Sequence, residues 1–327
     1  MSASVINSTG ASLIKLASLM GFTGLMMVGC NKSEPVAPAT PETTTAAVVT
    51  TDPNVAGKDP SKDTIVIGTT EGDFADMVRN HVKADLESRG YKVELKTFTD
   101  YIMPNQALAS GDLDINVFQH QPYLDNFKAE HNLDLVEVFQ VPTAPLGIYS
   151  GKKTDLNSIQ DGDSIAVPND PSNFARVLVM LNDLGWIKLK DNIDPIKASK
   201  ADIAENLKNI KFIELEAANL PRSRDEADFV VINGNYATDA GIKLTDALTQ
   251  EKSFAYVNWS AVKTADKDSQ WVKDVNDAYN SDSFKQYAHT TFPGYKYPKI
   301  WGEPVEVVTV APAEAVVVAP AATTTTN

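Results

Sequence analysis

Between Thr64 and Gly302, short β-branched runs alternate with amphipathic helical stripes, and the alternation occurs twice. No other feature constrains the fold as much, because strand, helix and strand in repeated order lead to a mostly parallel sheet with helices on its faces. The first run opens with the buried-strand signature Thr64–Gly68 (TIVIG). A helix follows, with Phe74, Met77, Val78, Val82 and Leu86 at helical spacing and Gly90 as its stop. Tyr91–Phe98 reads as a strand, Pro104–Ser110 as a short helix and Asp114–Phe118 as a third strand. Pro122 then opens a helix carrying Tyr123, Leu124 and Phe127, and Val136–Phe139 and Leu146–Ser150 complete a first sheet. The second run starts near Asp163 with strand Ser164–Val167. Asp170 is the N-cap and Pro171 the first residue of its helix, which buries Phe174, Val177, Leu178, Leu181 and Leu184. Strands Lys211–Leu215 and Asp228–Ile232 follow, then a late strand Tyr256–Val262 and two closing helices.

Two such runs predict an α/β protein of two lobes joined by two crossings. Residues 64–150 and 254–302 form one lobe and residues 151–253 the other, with the C-terminal helices returning to the first. A ligand cleft belongs where strand ends of both lobes meet. The 239 residues from Thr64 to Gly302 are enough for two lobes of ordinary size.

The two ends read differently. Residues 1–29 carry one charge, Lys15, followed by an apolar, small-residue run to Gly29 that is short for a membrane span and suits an export signal. Cys30, the only cysteine of the chain, follows directly and has no intrachain disulfide partner. From Asn31 to about Asp63, Pro, Thr, Ala and Val predominate without periodicity, so residues 30–63 read as a disordered tether. Residues 303–327 read as a similar low-complexity tail. The net charge of −14 disfavours a nucleic-acid partner.

Two stretches stand out as site candidates. Phe98–Leu124 interleaves Phe98, Tyr101, Phe118 and Tyr123 with five amides and His120. This mixture suits either a pocket wall with a few placed polar groups or a turn-rich joint whose amides cap the chain. In Asp170–Arg176, a helix N-terminus with Asn173 and Arg176 three residues apart suits a carboxylate, and equally an ordinary capped helix with a solvated arginine. Asn233, ending the apolar strand Phe229–Ile232, could hold an ammonium or a carboxylate, or simply turn the chain ahead of Gly234. The four histidines form no metal-ligand pattern, and no nucleophile elbow, P-loop or dinucleotide fingerprint occurs. Neither a metal, a cofactor nor a catalytic apparatus is expected.

FTDYIMPNQALASGDLDINVFQHQPYL, IAVPNDPSNFARVLVML, LEAANLPRSRDEADFVVINGNYA and the terminal KIWG, in that order, resemble the NlpA/MetQ family of methionine-binding lipoproteins over Thr64–Gly302. Met27-Val28-Gly29-Cys30 resembles a lipobox, with Met where Leu is commoner. The resemblance implies a two-lobed type II periplasmic-binding-protein fold and the substrate-binding role in a D/L-methionine ABC importer. It implies lipid attachment at Cys30 and a place in the cell envelope, facing the periplasm or the exterior. The partners would be L-methionine, with D-methionine or analogues as further ligands, an ABC permease with its ATPase subunits, and the membrane. Tyr101, Phe118 and His120 match the positions around the methionine side chain. Arg176 and Asn233 match those that fix the head group, with Asn173 in the same helix motif. Glu71 is a weaker candidate for an ammonium partner. The alternatives are a same-fold receptor for another small amino acid or a methionyl dipeptide, and a mainly adhesive surface lipoprotein. The long tether and the tail are not part of the family pattern.

Overall fold

The computed structural model describes residues 58–302. The signal segment, Cys30, the tether up to residue 57 and the tail from residue 303 lie outside the described residues.

The first sheet contains β1 (Thr64–Thr70), β2 (Lys92–Phe98), β3 (Ile115–His120) and β4 (Leu135–Gln140). The second contains β5 (Gly147–Ser150) and β6 (Ser164–Pro168), and β7 (Lys188–Leu189) and β8 (Ile203–Glu205) make a separate small hairpin. β9 (Lys211–Leu215), β10 (Phe229–Ile232) and β11 (Thr249–Gln250) complete the second sheet, and β12 (Asn258–Lys263) returns to the first. The strand orders are β2-β1-β3-β12-β4 and β11-β5-β10-β6-β9. In each sheet one strand opposes its neighbours. β12 pairs antiparallel with β3 and β4, and β5 pairs antiparallel with β10 and β11. These are the first long strands reached after each passage between sheets. The remaining pairs, β1 with β2 and β3, and β6 with β9 and β10, are parallel.

One expectation is corrected by this topology. The sequence reading completes the first sheet with Leu146–Ser150, but β5 joins the second, in register with Phe229–Ile232. The first crossing therefore falls between Gln140 and Gly147. The second lies between Gln250 and Asn258. The order at the N-terminal edge also begins earlier than Thr64. Asp59 is buried, its N–H donates to the Tyr91 hydroxyl at 2.7 Å, and its carboxylate accepts from the N–H of Ser61 and of Trp271. Residues 58–63 thus belong to the folded body rather than to the tether.

The helices follow the apolar stripes. α1 (Asp73–Met77) and α2 (Lys83–Ser88) are joined by a π-helical turn, Val78–Val82, into the single helix expected there. α3 (Met103–Ser110) and α4 (Gln121–His131) carry Pro104 and Pro122 in their first turns, where a missing N–H costs nothing. α5 (Pro171–Asp183) is capped by Asp170, whose carboxylate accepts from the Asn173 N–H at 2.9 Å. Pro221 lies inside a 3-10 segment, Ala217–Asp225, and α6 (Gly234–Asp239) begins directly after Asn233. α7 (Gln270–Asn280) and α8 (Asp282–Thr291) pack Trp271, Val275, Tyr279 and Phe284 into one core with Ile65, Ile67, Ile115 and Val117. The C-terminal helices thus return to the first lobe. A second core joins Ile148, Ile165, Val167, Phe229 and Val231 to Val177, Leu178 and Leu181 of α5.

Candidate functional site

The C-terminal ends of β1 and β3 in one lobe face those of β6 and β10 in the other, and a cavity of about 370 Å³ lies between them. Tyr101, Phe118, His120, Asn173, Arg176 and Asn233 all line it. Reading the sequence did not single out Phe74, Thr143, Gly234, Asn235 or Asn258, which also contribute.

The first lobe supplies an aromatic wall. Phe118 is the fourth residue of β3, a strand buried along its whole length. Its ring lies 5.8 Å from that of Tyr101 and 6.0 Å from that of Tyr123, the latter edge-on, so the three rings brace one another. The Tyr123 hydroxyl donates to the Tyr101 carbonyl at 3.0 Å, and Tyr101 donates across the cleft to Asn235 Oδ1 at 2.6 Å. Behind this wall the amides satisfy each other. Asn105 and Gln119 exchange bonds at 2.8 and 2.7 Å, and Asn116 donates to Asn105 Oδ1 at 2.9 Å. All three are buried, and their network ties α3 to β3.

His120 ends β3 and caps α4. Its Nδ1 accepts the Tyr123 N–H at 3.2 Å, so the ring proton sits on Nε2, which donates to Asn173 Oδ1 at 3.2 Å. Burial, with Arg176 nearby, lowers its pKa to about 3. His120 is thus a neutral donor reaching from one lobe to the other.

The second lobe supplies the polar wall. Arg176 is buried and held in a fork by Glu251, Nε to Oε2 at 2.8 Å and Nη2 to Oε1 at 2.5 Å, while Nη1 donates to Asn173 Oδ1 at 2.7 Å. Its guanidinium also lies 4.8 Å from the centre of the Tyr256 ring. Three of its five N–H groups are engaged in these bonds. Asn173 Oδ1 is a hub that accepts from His120, Arg176 and Asn233, the last at 2.9 Å. Asn233 Oδ1, buried against the cavity, has no partner among the described residues. Burial pushes the Glu251 carboxyl up, but Arg176 and Lys296 more than reverse this and hold it at about 2.

Glu251 was missed because it stands in a polar run, Thr249-Gln250-Glu251-Lys252-Ser253, that reads as an exposed loop. Glu71 is not brought to the cavity. It pairs with Arg79 at 2.6 Å on the surface. Among the described residues no group of His, Cys, Asp and Glu could hold a metal, and no helix is long and apolar enough to cross a membrane.

A family model described as NlpA lipoprotein matches residues 65–300. The chain belongs to the NlpA lipoprotein family. Among its relatives, the D-methionine-binding lipoprotein MetQ of Salmonella typhi is 41% identical over 243 residues, covering 72% of this chain and 88% of that one. Two solved family structures have the same two-lobed fold. A nutrient binding protein from Burkholderia cenocepacia bound to methionine is 40% identical, with a TM-score of 0.68 over 71% of this chain and 99% of that one. A periplasmic substrate-binding protein of an ABC transporter from Coxiella burnetii is 37% identical, with a TM-score of 0.67 over 72% and 99%. The type II periplasmic-binding-protein architecture is therefore that of this NlpA family member.

Proposed function

We propose that this protein is the lipid-anchored substrate-binding component of an ABC importer, capturing methionine in the interlobe cleft and delivering it to a permease with its ATPase subunits. The observation that carries this reading is the division of the cavity. One lobe offers aromatic faces that suit a thioether, and the other offers unspent N–H groups on Arg176 and an unpartnered Asn233 Oδ1. Arg176 takes the carboxylate, Asn233 Oδ1 accepts from the ammonium, and Tyr101, Phe118 and His120 surround the side chain, with Asn173 orienting Arg176 and Asn233. The names of relatives in the family support methionine as cargo. L-methionine is the principal ligand, with D-methionine and close analogues as further ones. No bond of the ligand is made or broken, and the role is not enzymatic. Cys30 carries the lipid, which places the body at the envelope membrane, facing the periplasm or the exterior.

Bonds across the cleft, from His120 to Asn173, Tyr101 to Asn235 and the Tyr236 hydroxyl to the Thr99 carbonyl, hold the lobes together. Ligand bound between the walls shifts the population toward this closed arrangement, which a permease can distinguish from the open one. Isothermal titration of L- and D-methionine against the purified protein tests the proposal, and absence of heat with both would overturn it. A second cavity, of about 470 Å³, shares Tyr101 and Tyr123 with the first. It gives a methionyl dipeptide room to extend, and native mass spectrometry separates that reading by the mass that co-purifies.

A further inference from the structure

The fork between Arg176 and Glu251 raises a question of charge. Glu251 cancels the guanidinium it holds, so the pair alone would offer a ligand carboxylate hydrogen bonds but no net attraction. A third charged group, Lys296, changes this balance. Its ammonium lies 3.4 Å from Glu251 Oε1, donates to the Ser253 carbonyl and sits 5.5 Å from the centre of the Phe254 ring. It is buried, like both partners. Its backbone is fixed by reciprocal bonds with Thr143, N–H to carbonyl at 2.8 and 2.9 Å, in the first crossing. Glu251 is fixed there too, by paired bonds with Leu146. The other carboxylate next to Asn173, that of Asp170, is engaged with the N–H and Nδ2 of Asn173 and with the Ser172 hydroxyl. His120 is neutral. Two buried cations therefore share one buried anion beside the cavity, and the triad carries one uncompensated positive charge.

Resting on the reading that Arg176 takes the ligand carboxylate, we propose that Lys296 is a positioning residue that makes the site attract an anion without touching it. The carboxylate is then the counter-ion of the whole Arg176–Glu251–Lys296 triad. Because Lys296 and Glu251 are bonded into the two crossings, the same contact links head-group recognition to the segments about which the lobes move.

The test is titration calorimetry on the full chain with L-methionine and with L-methioninamide, which keeps the side chain and ammonium but lacks the anionic carboxylate. Lys296→Met is expected to weaken methionine binding on the order of tenfold while leaving methioninamide nearly unchanged. Lys296→Arg should restore it. Lys296→Met combined with Glu251→Gln, which returns the site to one net positive charge, should bind methionine more tightly than Lys296→Met alone. Equal losses for both ligands in Lys296→Met, or a double variant weaker than the single one, would overturn the role of the triad and leave the methionine reading standing. Absence of methionine binding by the unsubstituted protein overturns that reading, and this inference with it.

Discussion

The two walls of the cleft are built in opposite ways. The first-lobe wall comes mostly from one continuous stretch, Tyr101 to Tyr123, joined by Phe74 and Asn258, and the polar groups of that stretch are largely spent on each other. Asn105, Asn116 and Gln119 form a closed buried network, which leaves ring faces toward the cavity. The second-lobe wall is gathered from Asn173 and Arg176 on α5 and Asn233 after β10, backed by Glu251 at the second crossing and by Lys296, which reaches it from the first lobe. It keeps polar capacity in reserve, at Asn233 Oδ1 and on Arg176. A saturated wall can only select shape and polarisability, whereas an unsaturated wall can select charge.

The largest effect expected from breaking this contrast is at Arg176. Arg176→Ala should cost about 2–5 kcal/mol of methionine affinity. It should also cost about 3 kcal/mol of stability, the low end for a broken buried pair because Lys296 still faces Glu251. Denaturant unfolding and calorimetry separate the two effects, since Arg176→Ala with Glu251→Gln and Lys296→Met, which leaves no unpaired charge in the triad, should regain stability without regaining binding. Recovery of both would show that Arg176 only holds the lobe together.

On the other wall, Phe118→Ala should weaken methionine by about 2–3 kcal/mol through lost apolar contact and leave alanine, which does not reach the ring, little changed. Parallel titrations with the two amino acids check this, and equal losses would remove Phe118 from the side-chain pocket. Asn105→Ala should act on stability alone, by about 2 kcal/mol, because Gln119 Oε1 loses its donor and Asn116 and Gln119 lose the acceptor they share, keeping only their bond to each other and that of Asn116 to the Pro104 carbonyl. A large loss of affinity at unchanged unfolding midpoint would mean that the amides contact ligand rather than support the rings.

The same contrast governs what could be read from the sequence. A contiguous wall leaves a local signature, so Phe98–Leu124 was visible as an aromatic and amide mixture, and α5 was visible from Asp170-Pro171 and its apolar stripe. An assembled wall leaves none. Glu251 stands in a polar run and Lys296 between two tyrosines, and both are buried through partners distant in sequence, Leu146 for Glu251 and Thr143 for Lys296. The misplaced strand β5 has a related cause. A short apolar run at the end of the first alternation carries no information on which of the two sheets it will join. Asn233 and Arg176 could be picked out, but their partners could not.

The smallest effect is expected at His120, the residue that joins the two walls. An unperturbed histidine titrates near pH 6.5 and would make binding sensitive to mild acid. Burial, with Arg176 nearby, lowers this one to about 3, so it stays neutral throughout the working range, and methionine affinity should be flat between pH 5.5 and 8. Folding stability should respond instead. A histidine whose folded pKa lies below its unfolded value contributes stability that is complete above about pH 6.5 and lost as pH falls toward 3. Glu251, held at about 2, loses its contribution in a lower window, below about pH 4.5. His120→Asn keeps a side-chain oxygen that can cap α4 and an amide donor directed at Asn173, but it has no proton to gain. Its unfolding midpoint should therefore hold from neutral pH down to about 4.5, where the wild-type midpoint is already falling. Parallel declines in the two proteins from pH 6.5 would mean that another group, rather than the histidine between the walls, carries the acid sensitivity.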